Sequence, residues 1–292
     1  MSWPPRQFER CEGLMKTKFI VLLLLCCALA AGQDKGGKTV PQGSSLPGLS
    51  SMPLGLNGPG FIEMGGGYST VSDGFHNWAD EYLRGVLSGG KNSFNGELSR
   101  QSRFGDTGWY YALGWNRSWS ENWYSELDFG SSTVGGFFLP KVRTDAFINR
   151  KLLARKQLVV TLGAGYDLSK HVNSDYRGQI GGTYYFEHPF ILQGGVTWTH
   201  ANPGGILARS QFVAFTQGHE KEHYITARVE IGREGYELIG PATSIFDFPI
   251  HNYSLTYRQW LGPAWGINVT AEHEGNPFYH RTGGTFGVFM DF

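Results

Sequence analysis

The segment Gln157-Leu158-Val159-Val160-Thr161-Leu162-Gly163-Ala164-Gly165-Tyr166 alternates in character. Leu158, Val160, Leu162, Ala164 and Tyr166 project to one side. Gln157, Thr161, Gly163 and Gly165 project to the other. Successive side chains of a strand leave opposite faces, so this is a strand with one apolar and one polar face.

The same alternation recurs in stretches of similar length. In 224–231, Ile225, Ala227, Val229 and Ile231 oppose Thr226, Arg228 and Glu230; in 264–272, Trp265, Ile267, Val269 and Ala271 oppose Gly266, Asn268, Thr270 and Glu272. In 109–116, Trp109, Tyr111, Leu113 and Trp115 oppose Ala112, Gly114 and Asn116. A soluble sandwich also alternates, but two features favour a membrane. The polar faces carry Glu97, Glu126, Asp128, Arg228, Glu230, Arg258 and Glu272, which suits a wet lumen. Trp109, Trp115, Trp119, Trp123, Trp198, Trp260 and Trp265 fall near strand ends, as in the aromatic girdles of membrane barrels. The spacing predicts fourteen strands, with twelve as the alternative, in one transmembrane antiparallel up-and-down barrel over 61–292. Short links alternate with longer ones, among them 131–141 and 232–249, as periplasmic turns alternate with external loops.

Composition agrees. Glycine is 42 of 292 residues, twice the roughly 7% usual share. Aromatic residues make up 15% and charged residues 17%, which opposes disorder and long charged helices. The 25 basic residues balance the 25 acidic ones, so nothing calls for a nucleic-acid partner.

Residues 1–31 read as an N-terminal extension and a signal peptide. Lys16 and Lys18 precede the apolar run Phe19–Ala30, which ends in an A-x-A pattern. That run is too short to span a bilayer as a helix. The start is Met1 or Met15. Cys11, Cys26 and Cys27 all lie in this part, so the processed chain is expected to hold no thiol and no thiolate metal site. Residues 32–60 are rich in Gly, Pro and Ser without a period and read as a disordered lead.

The sequence closes on Thr285-Phe286-Gly287-Val288-Phe289-Met290-Asp291-Phe292. Phe286, Val288, Met290 and Phe292 share one face. Thr285, Gly287, Met290 and Phe292 occupy the places of a polar residue, a glycine two later, a hydrophobic residue and a terminal aromatic. This pattern resembles the signal read by the bacterial outer-membrane assembly machinery. Outer-membrane lipids and that machinery are the expected partners, and the cell outer membrane is the expected location.

With these features in place, 60–292 resembles the YaiO-type outer-membrane proteins. The resemblance rests on Arg103-Phe104-Gly105, Phe138-Leu139-Pro140, Gly232-Arg233-Glu234 and Tyr279-His280-Arg281, in that order. It implies an outer-membrane barrel of a kind sometimes found beside exopolysaccharide functions, and it implies no reaction and no cofactor. The sequence carries no repeat domain of the sort that marks a full polysaccharide export porin. A pore, or an accessory to passage of polysaccharide or small solutes, is the leading expectation. A structural or surface-interaction barrel with a filled lumen is the alternative, with contacts at 232–249 and 274–282.

Catalytic chemistry finds little support. His200 and Ser210 fall near one external loop, but no G-x-S-x-G elbow accompanies them. His219-Glu220-Lys221-Glu222-His223 matches the letters of a zinc-helix motif, yet it sits in a predicted strand–turn–strand where the two histidines do not share a helical face. Gly65-Gly66-Gly67 opens no helix and reads as small residues in a strand. No catalytic or metal residue is assigned. Arg103, Asp106, Glu234 and Arg281 are the polar candidates for a lumen or rim role, placed at the outward strand ends.

Deleting Phe292, or replacing it with Asp, is expected to leave secretion intact and assembly poor. An unclosed edge leaves backbone groups unpaired in hydrocarbon, at several kcal/mol each. Fractionation should find processed, protease-sensitive protein in the periplasm. Normal levels of a heat-modifiable outer-membrane species would show that the last strand does not carry the assembly signal.

Overall fold

The structure is a computed structural model and describes residues 60–187 and 189–292. The expected signal peptide, its cysteines and the lead up to residue 59 lie outside the described residues; Gly60, read as the end of the lead, instead opens the first strand and pairs with Phe292. Fourteen strands follow one another in sequence. They are β1 (Gly60–Val71), β2 (Trp78–Gly89), β3 (Asn92–Arg103), β4 (Asp106–Ser118), β5 (Trp123–Ser132), β6 (Val142–Leu152) and β7 (Leu158–Leu168). The second half comprises β8 (Ser174–Tyr185), β9 (Phe190–Asn202), β10 (Ile206–His219), β11 (His223–Gly240), β12 (Thr243–Trp260), β13 (Trp265–Gly275) and β14 (His280–Asp291). Each pairs antiparallel with its neighbours and β14 returns to β1, giving a closed barrel. Among the described residues no helix is long and apolar enough to cross a membrane.

Closure is carried to the last residue. Gly60 N–H donates to the Phe292 carbonyl at 3.2 Å, and Phe292 N–H donates back to Gly60 at 3.1 Å. The seam is lined by small residues for a steric reason. A Cβ on Gly287 would lie 2.5 Å from Tyr82 Oη and 2.9 Å from Glu63 Oε1, and one on Gly65 would lie 2.6 Å from the same hydroxyl. A side chain at 287 would have to displace Tyr82 and Glu63, and one at 65 would in addition meet the Phe286 carbonyl at 2.3 Å. Thr285 and Gly287 face the lumen, whereas Met290 and Phe292 face outward.

The predicted facing holds. Leu113, Leu162, Val213, Leu255 and Phe286 are exposed on the outer wall, while Glu126, Asp128 and Arg258 are buried inside. Trp115, Trp119 and Trp123 circle the end that holds the short turns and both barrel termini; Trp109, Tyr176 and Trp198 circle the other. Trp260 departs from expectation. It faces inward, is 7% exposed, and donates Nε1–H to Asp291 at 2.8 Å. Its position near a strand end made it look like a girdle residue, but its parity is that of Arg258.

The loops also differ from expectation. The segment 232–249 is not a loop: β11 and β12 run on as a hairpin turned at Pro241-Ala242. Likewise β3 and β4 extend until only Phe104-Gly105 separate them. Short/long alternation is thus weaker than read, because external segments continue the ladder and satisfy their own backbone groups. His219 and His223 face each other in register across a tight turn, as a strand–turn–strand requires.

Val160 faces outward as predicted, but Arg150 is its ladder partner, which places it near the turn end. Leu162 lies deeper, between Ile148 and Ile180. Leu162→Arg should cost about 2–4 kcal/mol by placing a cation against hydrocarbon, whereas Gln179→Arg places it in the lumen. Folding into lipid vesicles, followed by heat-modifiable mobility, should separate the two variants. Equal folding would refute the facing.

Candidate functional site: the lumen and its outer mouth

Inside the barrel the charges gather in three groups. The first straddles the seam. Glu63 on β1 is fully buried and accepts from Arg84 at 2.7 Å, Tyr82 at 2.9 Å, Arg258 at 3.0 Å and Asn268 at 3.2 Å. These partners come from β2, β12 and β13, so one carboxylate ties both ends of the sheet. Below it, Asp291 accepts from Lys221 at 2.5 Å and from Trp260. Arg258 also lies over the Phe289 ring, 3.4 Å from its centroid. The alternation along β1 makes this possible, because odd positions from Phe61 to Ser69 point inward.

A second group sits on the facing wall. Asp145 on β6 accepts from Arg143 at 2.8 Å and from Arg177 at 2.7 Å, and Arg177 also binds Asp167. Balanced pairing keeps this polar set neutral within the wall.

The third group lies at the outer mouth. Trp78 is held between two guanidinium groups, with Arg103 at 4.5 Å and Arg281 at 4.6 Å from its ring. Phe104 and Tyr279 meet its ring edge to face, with centroids 5.3 and 6.1 Å away, and Phe75 packs edge to face on both of them at 5.6 Å. Phe104 enters this cluster from a two-residue turn at φ 51, followed by Gly105 at φ 80. Such a turn needs positive φ at both positions. Arg281 also binds Glu272 and, at 2.8 Å, Glu274.

Two external segments fold over this mouth. From β11, Glu237 accepts from Tyr279 Oη at 2.7 Å, and Phe248 on β12 packs against Phe278. Gly235 lies so close to β9 and β10 that a Cβ would be 2.8 Å from the Ala201 Cβ. The β11–β12 hairpin therefore leans across the opening. The second segment is the β5–β6 loop, where Phe137 and Leu139 are buried. Asp106 anchors it by accepting from Phe137 N–H at 2.9 Å, and Lys170 donates to the Gly135 and Gly136 carbonyls at 2.5 and 2.6 Å. Burial pushes the Lys170 ammonium down from its ordinary range, against the pull of Asp106.

The four polar candidates thus divide. Arg103 and Arg281 meet on Trp78. Asp106 is a loop anchor. Glu234, on β11 at the hairpin's base, faces the mouth among the carboxylates Glu237, Glu274 and Asp175 rather than on Trp78. Sequence reasoning missed Glu63, Trp78 and the Asp145 group. Glu63 was legible as the one charge within Phe61–Tyr68, but its partners lie up to 205 residues away. His200 and Ser210 lie on opposite faces of the wall and form no pair.

Arg84→Met should destabilise the barrel by about 3–5 kcal/mol, because it removes a partner from a buried charge. Adding Glu63→Gln to that variant should recover part of the loss. Denaturant unfolding from lipid vesicles measures both. A strictly additive double variant would show that the pair is not coupled.

Comparison with known proteins places this architecture. The CymD monoaromatic hydrocarbon channel is 8% identical, with a TM-score of 0.56, covering 81% of this chain and 89% of that one. The outer membrane protein Omp33 of Acinetobacter baumannii is 11% identical, at a TM-score of 0.46, covering 81% and 100%. Outer-membrane expressed OmpT of Vibrio cholerae is 6% identical, at 0.47, covering 80% and 97%. At 8% identity the likeness to CymD is one of fold alone. No functionally described protein matches at the sequence level. The model of the YaiO membrane beta barrel domain matches residues 60–237, and Arg103-Phe104-Gly105, Phe138-Leu139-Pro140 and Gly232-Arg233-Glu234 fall inside that range. The chain is an outer-membrane β-barrel and belongs to the YaiO family.

Proposed function

We propose that this barrel is a pore for small hydrophilic solutes, with its passage along the β7–β10 wall and its outer end roofed by the β11–β12 hairpin. One observation carries the reading: the two sides of the lumen are furnished differently. On the seam side Glu63, Arg84, Arg258 and Asn268 are buried against one another, and Asn95 and Glu126 are buried on the neighbouring β3 and β5. On the other side Thr161, Gln179, Thr183, Gln193, Thr197 and Ser210 are small or neutral and remain partly open. Hydroxyl and amide groups can hydrate a column of water without trapping an ion. A packed side and an open side together describe an eccentric channel rather than a filled barrel.

Below the charged outer ends of β7 and β8, where Asp167 and Arg177 pair with each other, this uncharged stretch suits neutral solutes and weak ion selectivity. The hairpin limits the opening, because Glu237 and Tyr279 bridge it to the β13–β14 loop. Passage of a polysaccharide strand is the other cargo raised by the family resemblance; it needs the hairpin to swing clear. No reaction enters either reading.

In planar bilayers the folded protein should conduct. Replacing residues 236–246 with two glycines should raise single-channel conductance several-fold, and Thr197→Trp should lower it. Liposome swelling should admit small sugars and exclude a polysaccharide. Silence across many insertions, in the wild type and in the deletion alike, would overturn the pore and favour a filled barrel acting through its outer surface.

A further inference from the structure

We propose a divalent transition-metal site on the outer wall of the barrel, at its external rim, built from His251, His273 and His280. The three side chains come from the adjacent strands β12, β13 and β14. One ligand nitrogen from each lies within 4.8 Å of the other two. Their rings face one another, with centroids 6.1 Å apart for His251–His273 and for His273–His280, the latter pair nearly parallel at 13°.

The backbone register creates this convergence. Gly275 is the ladder partner of both His251 and His280. A Cβ at Gly275 would come within 2.3 Å of His251 Nε2 and 2.9 Å of His280 Nδ1. Only a glycine leaves the gap into which these nitrogens turn. His273 is fixed by its own contact, Nδ1 to Thr282 Oγ1 at 2.8 Å, which leaves Nε2 for a metal. A polar partner on the second ring nitrogen is the usual way a ligating imidazole is oriented.

The dimensions suit zinc or copper. Metal–imidazole bonds of about 2.0–2.1 Å place three ligand nitrogens about 3.4 Å apart, so modest ring rotations close the observed set. Three imidazoles select Zn²⁺, Cu²⁺ or Ni²⁺ over Mg²⁺ or Ca²⁺, which prefer oxygen. The position is reachable from water: His280 is exposed, and Tyr253, 5.7 Å from His251, marks the aromatic belt beside it. The H-E-K-E-H turn at 219–223 lies at the opposite end of the barrel and forms no part of the site.

The test uses the folded, metal-free full-length barrel in detergent. Titration with ZnCl₂ by calorimetry should show one ion bound per barrel. His251→Ala and His273→Ala should each weaken binding at least tenfold, and Gly275→Ala should weaken it as well. His219→Ala/His223→Ala should bind like the wild type. Heat-modifiable mobility reports that each variant has folded; these side chains lie outside the lumen packing. Should a variant fail to fold, the wild type loaded with Cu²⁺ decides, since an EPR spectrum with nitrogen hyperfine splitting is expected. No saturable zinc binding, unchanged affinity in the folded His251→Ala and His273→Ala variants, or a copper spectrum without nitrogen splitting would overturn the site.

Discussion

A strand in hydrocarbon has no water to which its N–H and C=O groups can turn, so the sheet must end where it began. Everything else in this barrel answers to that closure. The register of β1 on β14 runs from Phe61–Asp291 to Val71–Arg281 without a break. It brings Glu63 under Tyr82, Arg84, Arg258 and Asn268, a crowding that glycine at 65 and 287 leaves undisturbed. A residue that reads from sequence as part of an assembly signal, Gly287, thus has a packing reason as well: its missing side chain is the space that Glu63 and Tyr82 occupy.

The same constraint divides the lumen. Burying charge is tolerable only where partners are close and complete, and the seam supplies them. On β7–β9 the charges are confined to the outer ends, where Arg177 and Asp167 pair; the glycine, threonine and glutamine below them need no ionic partner, so that stretch can stay wet. At the outer mouth, aromatic rings join carboxylates as the partners of arginine. Trp78 receives two guanidinium faces at once, and such contacts gain strength where water is excluded. The β11–β12 hairpin and the β5–β6 loop complete that exclusion.

Fold class was legible because period-two alternation is a local property. Leu158, Leu162, Trp109 and Phe286 announce their facing from their neighbours alone, and all fourteen strands follow. Ends were harder. Trp260 looked like a girdle residue since both roles put tryptophan near a turn; only parity with Arg258 separates them. The stretch 232–249 read as a loop because Gly235 and Pro249 interrupt the pattern, yet the hairpin tolerates both. Of the polar candidates, Arg103 and Arg281 could be placed near a rim but not on a shared tryptophan. Their meeting depends on barrel closure, which no window of sequence contains. The three histidines are invisible for the same reason: 251, 273 and 280 become neighbours only through the ladder at Gly275.

The Glu63 cluster has a consequence for the order of events in a growing chain. Glu63 belongs to the first strand, Arg258 and Asn268 to the twelfth and thirteenth, and 195 residues separate the acid from its far arginine. A sheet that has zipped from either end still lacks one side of this ion group. Electrostatics therefore registers completion: the last hairpins are rewarded for joining the first strand beyond what their backbone ladder supplies. A barrel whose β12 has formed but whose end has not met β1 leaves Arg258 without Glu63 and is marked as unfinished from within.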